Sequence, residues 1–482
     1  MHSLSLWSPL FLVAVMGAYY ALQPGRRYRG QNWLLLVASY IVYSWFDWTY
    51  CLALATSTLA NFAIAKRIHH AEGQARRRWL TASLVFNLGV LCYFKYLGFL
   101  VDSATGLLAS LGMEMSWSVT HLWLPLGISF FTFQNLGYTL DVYKGRIKPV
   151  EQWQDFALFV AFFPQLIMGP IERAAHLMPQ IQAPRTPTVD SLQRGAWLVF
   201  LGLTKKILIA DQIGILVAPL FEPSPEYLAG DVAIGALLFT LQIYADFAGY
   251  TDIVRGTGKM FGFELSRNFK VPYLARNIRD FWARWHITLS SWVNEYVFMS
   301  LAVNPRWNRR LRTSGLLIVT MVTMGAWHGA GWMFLSWGLY HGILLALYHR
   351  SRPYLNRRAQ FETPTGQRAF HVASIILTFS LVTFGELLFR PSNIDQSMAM
   401  YRGLLTNYGL SATAFAALLV GVRAYGLIFL LDILEERTGD DEAILKWHWI
   451  VRRPLQLAMC YFLLESFAYG ESNIADFHYF RF

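Results

Sequence analysis

The sequence predicts an all-α, polytopic integral membrane protein, on three observations. Of its 482 residues, 55% are hydrophobic and 15% charged, against roughly 45–50% and 25% in soluble domains. Apolar runs of about 17–25 residues, the length that crosses a hydrocarbon core, recur from end to end. The formal net charge of +11 is segregated: basic residues gather at Arg26, Arg27 and Arg29, and at 66–78, 144–148, 306–312, 350–358 and 452–453, whereas 102–121 and 207–254 contain no Lys or Arg. The positive-inside pattern places the basic connections in the cytoplasm and the two bare ones outside. It assigns the positive charge to topology and argues against nucleic acid as a partner.

Spans are expected near 5–22, 32–48, 50–65, 79–101, 155–171, 195–220, 231–250, 313–327, 331–349, 370–389, 411–432 and 449–468. Two further stretches, 123–140 and 282–300, are apolar but interrupted by Gly, Pro, Arg, Asn and His, and are expected to be re-entrant or broken. The total is about 11–13 spanning or re-entrant helices. The run before Arg26 has no basic leader and no small-x-small cleavage site, which makes it an uncleaved first span. One integral domain is expected over 1–482, with N-terminal helices in 1–120, a core in about 121–350 and C-terminal helices in 351–482. Cys51, Cys92 and Cys460 read as packing residues, without disulfide or metal-ligand spacing. The acidic stretch 432–442 reads as a solvated loop.

Two histidines stand out, because ionisable groups at membrane depth are costly and face a cavity or a partner. His286 ends Phe281-Trp282-Ala283-Arg284-Trp285-His286, and His328 lies in Gly325-Ala326-Trp327-His328-Gly329-Ala330-Gly331. Desolvation favours neutral imidazole, the form a general base needs. The alternatives are an interfacial amphipathic helix for His286 and a carbonyl-bonded core histidine for His328. Around His286, Asn277 is a candidate N-cap, Asp280 and Arg284 pair at i, i+4, and Trp282 shares a helical face with His286. His341 is expected to be structural. Asp246 is the lone carboxylate of its apolar run, with Tyr250 one turn on. Glu172–Arg173 reads as a loop pair, and Lys205–Lys206 as side chains snorkelling to the cytoplasmic face. No GxSxG, Walker, HExxH or CxxC pattern is present. Two histidines also suit haem or metal ligation, but nothing else has ligand spacing, so no metal is expected.

Several blocks, read in order, resemble the membrane-bound O-acyltransferase family. They are LPLGISFFTFQNLGYTLDVYKG (124–145), FPQLIMGPIERA (163–174), KKILIAD (205–211), QIYADFAGYTDIVRGTGKMFGFEL (242–265), NFKVPYLARNIRDFWARWHITLSSW (268–292), GAWHGAGWMFLSWGLYHG (325–342) and HYFRF (478–482). Within the family the chain is most similar to the bacterial branch of alginate O-acetyltransferase membrane subunits and teichoic-acid D-alanyl transfer proteins. The resemblance implies a helical fold pierced by a channel, with His328 at the family's near-invariant histidine and His286 at the branch's second one. It departs at 297–306, where the branch usually has a Tyr-x-Pro-Leu-Gly-Gly-Asn-Arg-like turn, so contacts made there do not carry over.

The function so implied is acetyl transfer from a cytoplasmic thioester, acetyl-CoA, to a hydroxyl in exopolysaccharide O-acetylation at the bacterial inner membrane. No resident cofactor is expected. The expected partners are the bilayer, a periplasmic acetyltransferase or esterase-like protein, and a polysaccharide synthase. His328 would serve as the base that activates the acceptor or as a relay for the acyl group, His286 as a second acid/base or oxyanion-stabilising group, and Trp285 and Trp327 as channel lining. Arg284 and Asp280 would orient the His286 helix, Asp246 and Tyr250 would support the site, and Arg279 and Arg284 would meet the donor phosphates. Alternatives are D-alanyl transfer from a carrier protein, a transporter, and a non-catalytic scaffold. A transporter often carries an internal repeat, and none is visible here. For topology, single cysteines replacing Gln74 and Ser351 should label from the cytoplasm and one replacing Ser103 from outside. Labelling of Gln74 and Ser103 from the same side would overturn the span map.

Overall fold

The computed structural model describes residues 7–22, 28–113, 124–358 and 363–469. Arg26 and Arg27, positions 114–121 of the bare connection, and the terminal HYFRF lie outside them. Among the described residues there is no strand, and helices follow one another from Trp7–Ala21 to Trp449–Tyr469. Five are long and apolar enough to cross a membrane alone: Trp48–His70, Gly73–Ser110, Ala229–Met260, Pro364–Leu388 and Ala412–Thr438. The protein is a multi-pass, all-α membrane protein. Gln74 and Ser103 stand near opposite ends of Gly73–Ser110.

The chain packs into two compact units, one built on residues up to Ala196 with Val254–Ser266, the other on Trp197–Ile253 and the chain from Arg267 onward. In the first unit, buried polar side chains pair across helices. Asn87 Nδ2 donates to Asn61 Oδ1 at 2.7 Å, Ser83 Oγ to Thr139 Oγ1 at 3.0 Å, and Asn135 Nδ2 to Ser57 Oγ at 3.0 Å. The interrupted stretch 123–140 yields the buried helix Ile128–Tyr143, which starts at Gly127 with φ 73°. A Cβ on Gly127 would meet the Leu166 carbonyl oxygen at 2.4 Å, so glycine is required twice over, by conformation and by space.

The expected span at 155–171 is a correction. Only Trp153–Ala161 is helical there, and turns follow. Pro164 and Pro170 stop the helix, because proline lacks an N–H and pushes the preceding residue out of the α region. Glu172 does not pair with Arg173 as a loop ion pair. Its carboxylate accepts from the Ser266 backbone N–H at 2.5 Å and faces His176 Nδ1 at 2.8 Å.

In the second unit, Pro305–His328 and Trp332–Arg358 form a close antiparallel pair. A Cβ on Gly325 would stand 2.2 Å from the Phe334 carbonyl oxygen, and one on Gly338 would stand 2.4 Å from that of Met321. Small residues let the backbones meet, as in membrane helix packing generally. At 297–306 the chain stays helical to Val303; Asn304 then caps the next helix by accepting the Arg306 N–H at 3.0 Å, with Pro305 in its first turn. Gly338→Ala should therefore lower stability in detergent by about 1–3 kcal/mol through overpacking. Gly426→Ala, with nothing within 4 Å, should be neutral; equal melting temperatures for the two variants would refute the tight crossing.

Candidate active site

His328 closes the Pro305–His328 helix, whose buried face includes Met321, Met324 and Trp327. The helix stops because Gly329 takes an extended conformation, and the next helix starts at Trp332. His328 is nearly buried, with the rings of Trp337 at 5.1 Å and Phe389 at 5.3 Å.

His286 arrives on a broken segment. Asn277 caps Ile278–Arg284 by accepting the Asp280 N–H at 2.9 Å, and Arg284 Nε bonds Asp280 at 2.8 Å, both as expected. The helix then ends: Trp285 is extended, His286 is left-handed with φ 42°, and Ile287–Val293 begins a new helix. Trp282 and His286 therefore do not share a helical face, which corrects the period drawn through both. A left-handed non-glycine residue stores backbone strain, and such strain concentrates at functional sites.

Asn268 holds this break. Its Oδ1 accepts from the Thr288 backbone N–H at 3.3 Å and from Thr288 Oγ1 at 2.6 Å, and lies 3.4 Å from His286 Nδ1. A backbone N–H only donates, so the shared atom is the amide oxygen, which accepts. His286 Nε2 has no hydrogen-bond partner among the described residues. Backbone bonds flank the break, from Lys270 N to Arg284 O at 3.0 Å and from Ile287 N to Asn268 O at 2.9 Å.

The rings of both histidines pack against one indole. The Trp327 ring lies 5.9 Å from that of His286 and 5.1 Å from that of His328. Phe247 packs edge-on to His286 at 4.8 Å. Trp285 touches neither ring; it packs among Phe269, Tyr273 and Phe281 at 5.1, 5.9 and 5.5 Å. Tyr250 is half-buried on Ala229–Met260. Asp246 is held by Lys206 Nζ at 2.8 Å, and the same ammonium reaches Asp211 at 2.8 Å. Lys205 pairs with Asp252 at 2.7 Å. The lysines are thus buried ion-pair partners instead of snorkelling cations, because the π-helical turn Thr204–Ala210 turns both inward. Arg279 is exposed. The guanidinium fork of Arg284 is filled by Asp280 and by Glu436, at 2.7 and 3.2 Å.

The acidic stretch is also corrected. Asp432 is buried and accepts from Tyr244 OH at 3.0 Å, while Glu435 and Asp441 grip Arg267 at 2.5 and 3.1 Å. Its first part, 432–438, belongs to the Ala412–Thr438 helix, and its charges find partners within the unit. Sequence reasoning misses Asn268, Phe247 and Asp432 as site neighbours, and takes Lys206 for a snorkelling side chain. Asn268, Phe247 and Lys206 each lie in one of the blocks quoted above, whereas Asp432 lies in none. Among the described residues no group of His, Cys, Asp and Glu suits a metal ion.

A model of the MBOAT, membrane-bound O-acyltransferase family, matches residues 152–373, which include both histidines. The protein named probable alginate O-acetylase AlgI of Azotobacter vinelandii is 39% identical over 399 residues, 82% of this chain and 76% of that one. The peptidoglycan O-acetyltransferase of Helicobacter pylori is 32% identical over 79% of this chain and 74% of its own. The teichoic acid D-alanyltransferase of Bacillus subtilis is 28% identical over 55% of this chain and 68% of its own. As a test of the geometry, Lys206→Met should destabilise the protein by about 3–5 kcal/mol, since it strands two buried carboxylates. Adding Asp246→Asn should recover part of the loss; a single variant as stable as wild type in thermal unfolding would refute the buried pairing.

Proposed function

The chain belongs to the membrane-bound O-acyltransferase family and is an O-acyltransferase, and we propose that it transfers an acetyl group from a cytoplasmic thioester to a hydroxyl of a cell-surface polysaccharide. Acyltransferase membership sets aside the transporter and scaffold readings. Support for the acetyl group comes from relatives named as O-acetylases and an O-acetyltransferase at 32–39% identity, against 28% over a shorter stretch for the D-alanyl relative. The observation that carries the mechanism is that the rings of His328 and His286 both pack against the indole of Trp327.

In the transfer, an O–H bond and a C–S bond break while a C–O bond and an S–H bond form. His328 takes the hydroxyl proton as the oxygen attacks the thioester carbonyl, and returns it to the departing sulfur. His286 offers Nε2 as a second acid/base group. Oxyanion stabilisation is the other role open to His286. Asp280 and Arg284 anchor the helix leading to His286, Trp327 and Trp285 keep its surroundings apolar, and Asp246 with Tyr250 supports the neighbouring helix. The donor is acetyl-CoA, with exposed Arg279 a better candidate for its phosphates than the occupied Arg284. The setting is the bacterial inner membrane, and the partners are a periplasmic esterase-like acetyltransferase and a polysaccharide synthase.

His328→Ala should insert normally and lose about 10²–10⁴-fold in acetyl transfer, the usual cost of removing an acid–base group. The readout is ester on the surface glycan in cells with matched protein levels; wild-type ester would sink the assignment. Purified protein should bind acetyl-CoA more weakly as salt rises. Binding only of a D-alanylated carrier protein would move the chain to the aminoacyl reaction.

A further inference from the structure

The basic stretch at 306–312 is used by neither the fold nor the transfer chemistry above. Arg306, Arg309, Arg310 and Arg312 are all exposed, and among the described residues none of the four has an ion pair. Exposed apolar side chains stand with them: Met299 and Val303 on the helix Met299–Val303, and Trp307 among the arginines. Every residue from 303 to 310 is exposed, so the protein itself buries none of this stretch. It also overlaps the segment where the chain departs from the turn usual in the bacterial branch, and relatives therefore lend it no role.

The local geometry makes the stretch amphipathic. Asn304 ends one helix and caps the next, with Pro305 in its first turn. At Arg312 the backbone leaves the helical region, with φ 54° and ψ 175°, and divides Pro305–His328 into a short basic piece and a long piece that ends at His328. In the short piece Arg306, Arg309 and Arg310 are three and four residues apart and share a face, while Trp307 and Leu311 lie one turn apart on another. Leu311 is half-buried, and a Cβ built on Gly315 would stand 3.1 Å from its Cβ. The piece is thus tied to the protein at its end and open along its length.

A helix with arginines on one face and Trp and Leu on another suits the membrane–water interface, with its apolar side towards the acyl chains and its cations among the headgroups. Guanidinium forks match phosphate in a bidentate way, and a cluster of four beside an apolar span matches a negatively charged leaflet. The positive-inside pattern places this connection on the cytoplasmic side. A soluble phosphate ligand fits less well. Small-molecule sites are concave and bury most of their ligand. These guanidinium groups stand on an exposed turn, beside apolar surface that a phosphate in water would leave wet.

We propose that 299–312 is a docking surface for anionic phospholipid. Arg306, Arg309, Arg310 and Arg312 take the headgroup phosphates, while Met299, Val303 and Trp307 enter the acyl-chain boundary. Bound headgroups hold the foot of the helix that carries His328, at a hinge, Arg312, that no ion pair of the protein braces. The inference goes beyond the acyl-transfer reading and does not rest on it.

The test follows backbone hydrogen exchange over 299–312 in the full-length protein, reconstituted in nanodiscs of phosphatidylcholine alone or of phosphatidylcholine with phosphatidylglycerol. In wild type the anionic lipid should slow exchange there by about tenfold or more, and raised salt should reverse part of that gain. A protein carrying Arg306→Gln, Arg309→Gln and Arg310→Gln together should exchange alike in the two lipids. Trp307→Ala should weaken the protection, and Trp307→Phe should keep it. Equal exchange of the wild type in both lipids overturns the proposal, and that comparison needs no variant to fold. Protection that appears in phosphatidylcholine alone on adding acetyl-CoA, or only on adding an acidic carrier protein, also overturns it and makes the arginines a donor site. A triple variant that keeps the wild-type response to phosphatidylglycerol removes the arginines from the surface and the proposal with them.

Discussion

The acidic end of the Ala412–Thr438 helix is the anchor on which the histidine-bearing segment depends. Within little more than two turns, Asp432 receives Tyr244 OH, Glu435 and Asp441 hold Arg267, and Glu436 holds Arg284. Asp432 and Glu435 also contribute to the field at buried Lys205. Taking an ion out of water costs several kcal/mol even after relaxation, and the cost is met only with good geometry on both partners. One consequence is mutual dependence. The π-helical turn that aims Lys205 and Lys206 inward is tolerable only because Asp252, Asp246 and Asp211 stand opposite, and the stretch 267–286 is held at both ends by arginines.

The break at His286 follows the same logic at the level of the backbone. Non-helical chain inside a membrane protein must satisfy its peptide groups within protein. Here the irregular stretch around Asn268–Lys270 supplies the partners that a continuous helix would have supplied internally. Asn268 then does with one oxygen what neither helix can do: it bonds the first turn of Ile287–Val293 and holds Nδ1 of His286. The left-handed backbone at His286 is the local cost of that arrangement. Its result is an imidazole whose Nε2 is left available.

Much of the fold is legible in the sequence because it rests on short-range rules. Apolar run length locates most helices, and the Asn277 cap and the Asp280–Arg284 pair follow from spacings of three and four residues. A broken stretch is legible at 282–300, where polar residues interrupt apolar sequence, but the position of the break is not. A 3.6-residue period carried through Trp282 and His286 assumes helical backbone at His286, and nothing in the side-chain pattern signals φ 42°. The buried ion pairs are illegible for a different reason. Lys206 finds Asp246, and Tyr244 finds Asp432 across 188 residues of chain, through tertiary packing that no local pattern encodes. Read alone, each lysine resembles a snorkelling cation and the acidic run a solvated loop. His341 reads as structural because a lone buried histidine is ordinarily bonded to a carbonyl; both of its nitrogens prove to lack such a partner among the described residues.

The alternation of histidine and tryptophan bears on why a thioester is safe in such a site. Rings follow in the order His286, Trp327, His328, Trp337, His341 and Trp282, with successive centroids 4.7–5.9 Å apart. A basic nitrogen that activates an alcohol activates water equally well, and water is the more abundant nucleophile. Hydrolysis is avoided when water is excluded from the reacting centre, and indole does this with a large rigid apolar surface carrying a single N–H. Tryptophan packed against each histidine surrounds the proton-accepting groups with apolar ring surface. On the acyl-transfer reading, the choice of hydroxyl over water then rests on access, set by the indoles, and the rate rests on the imidazoles they enclose.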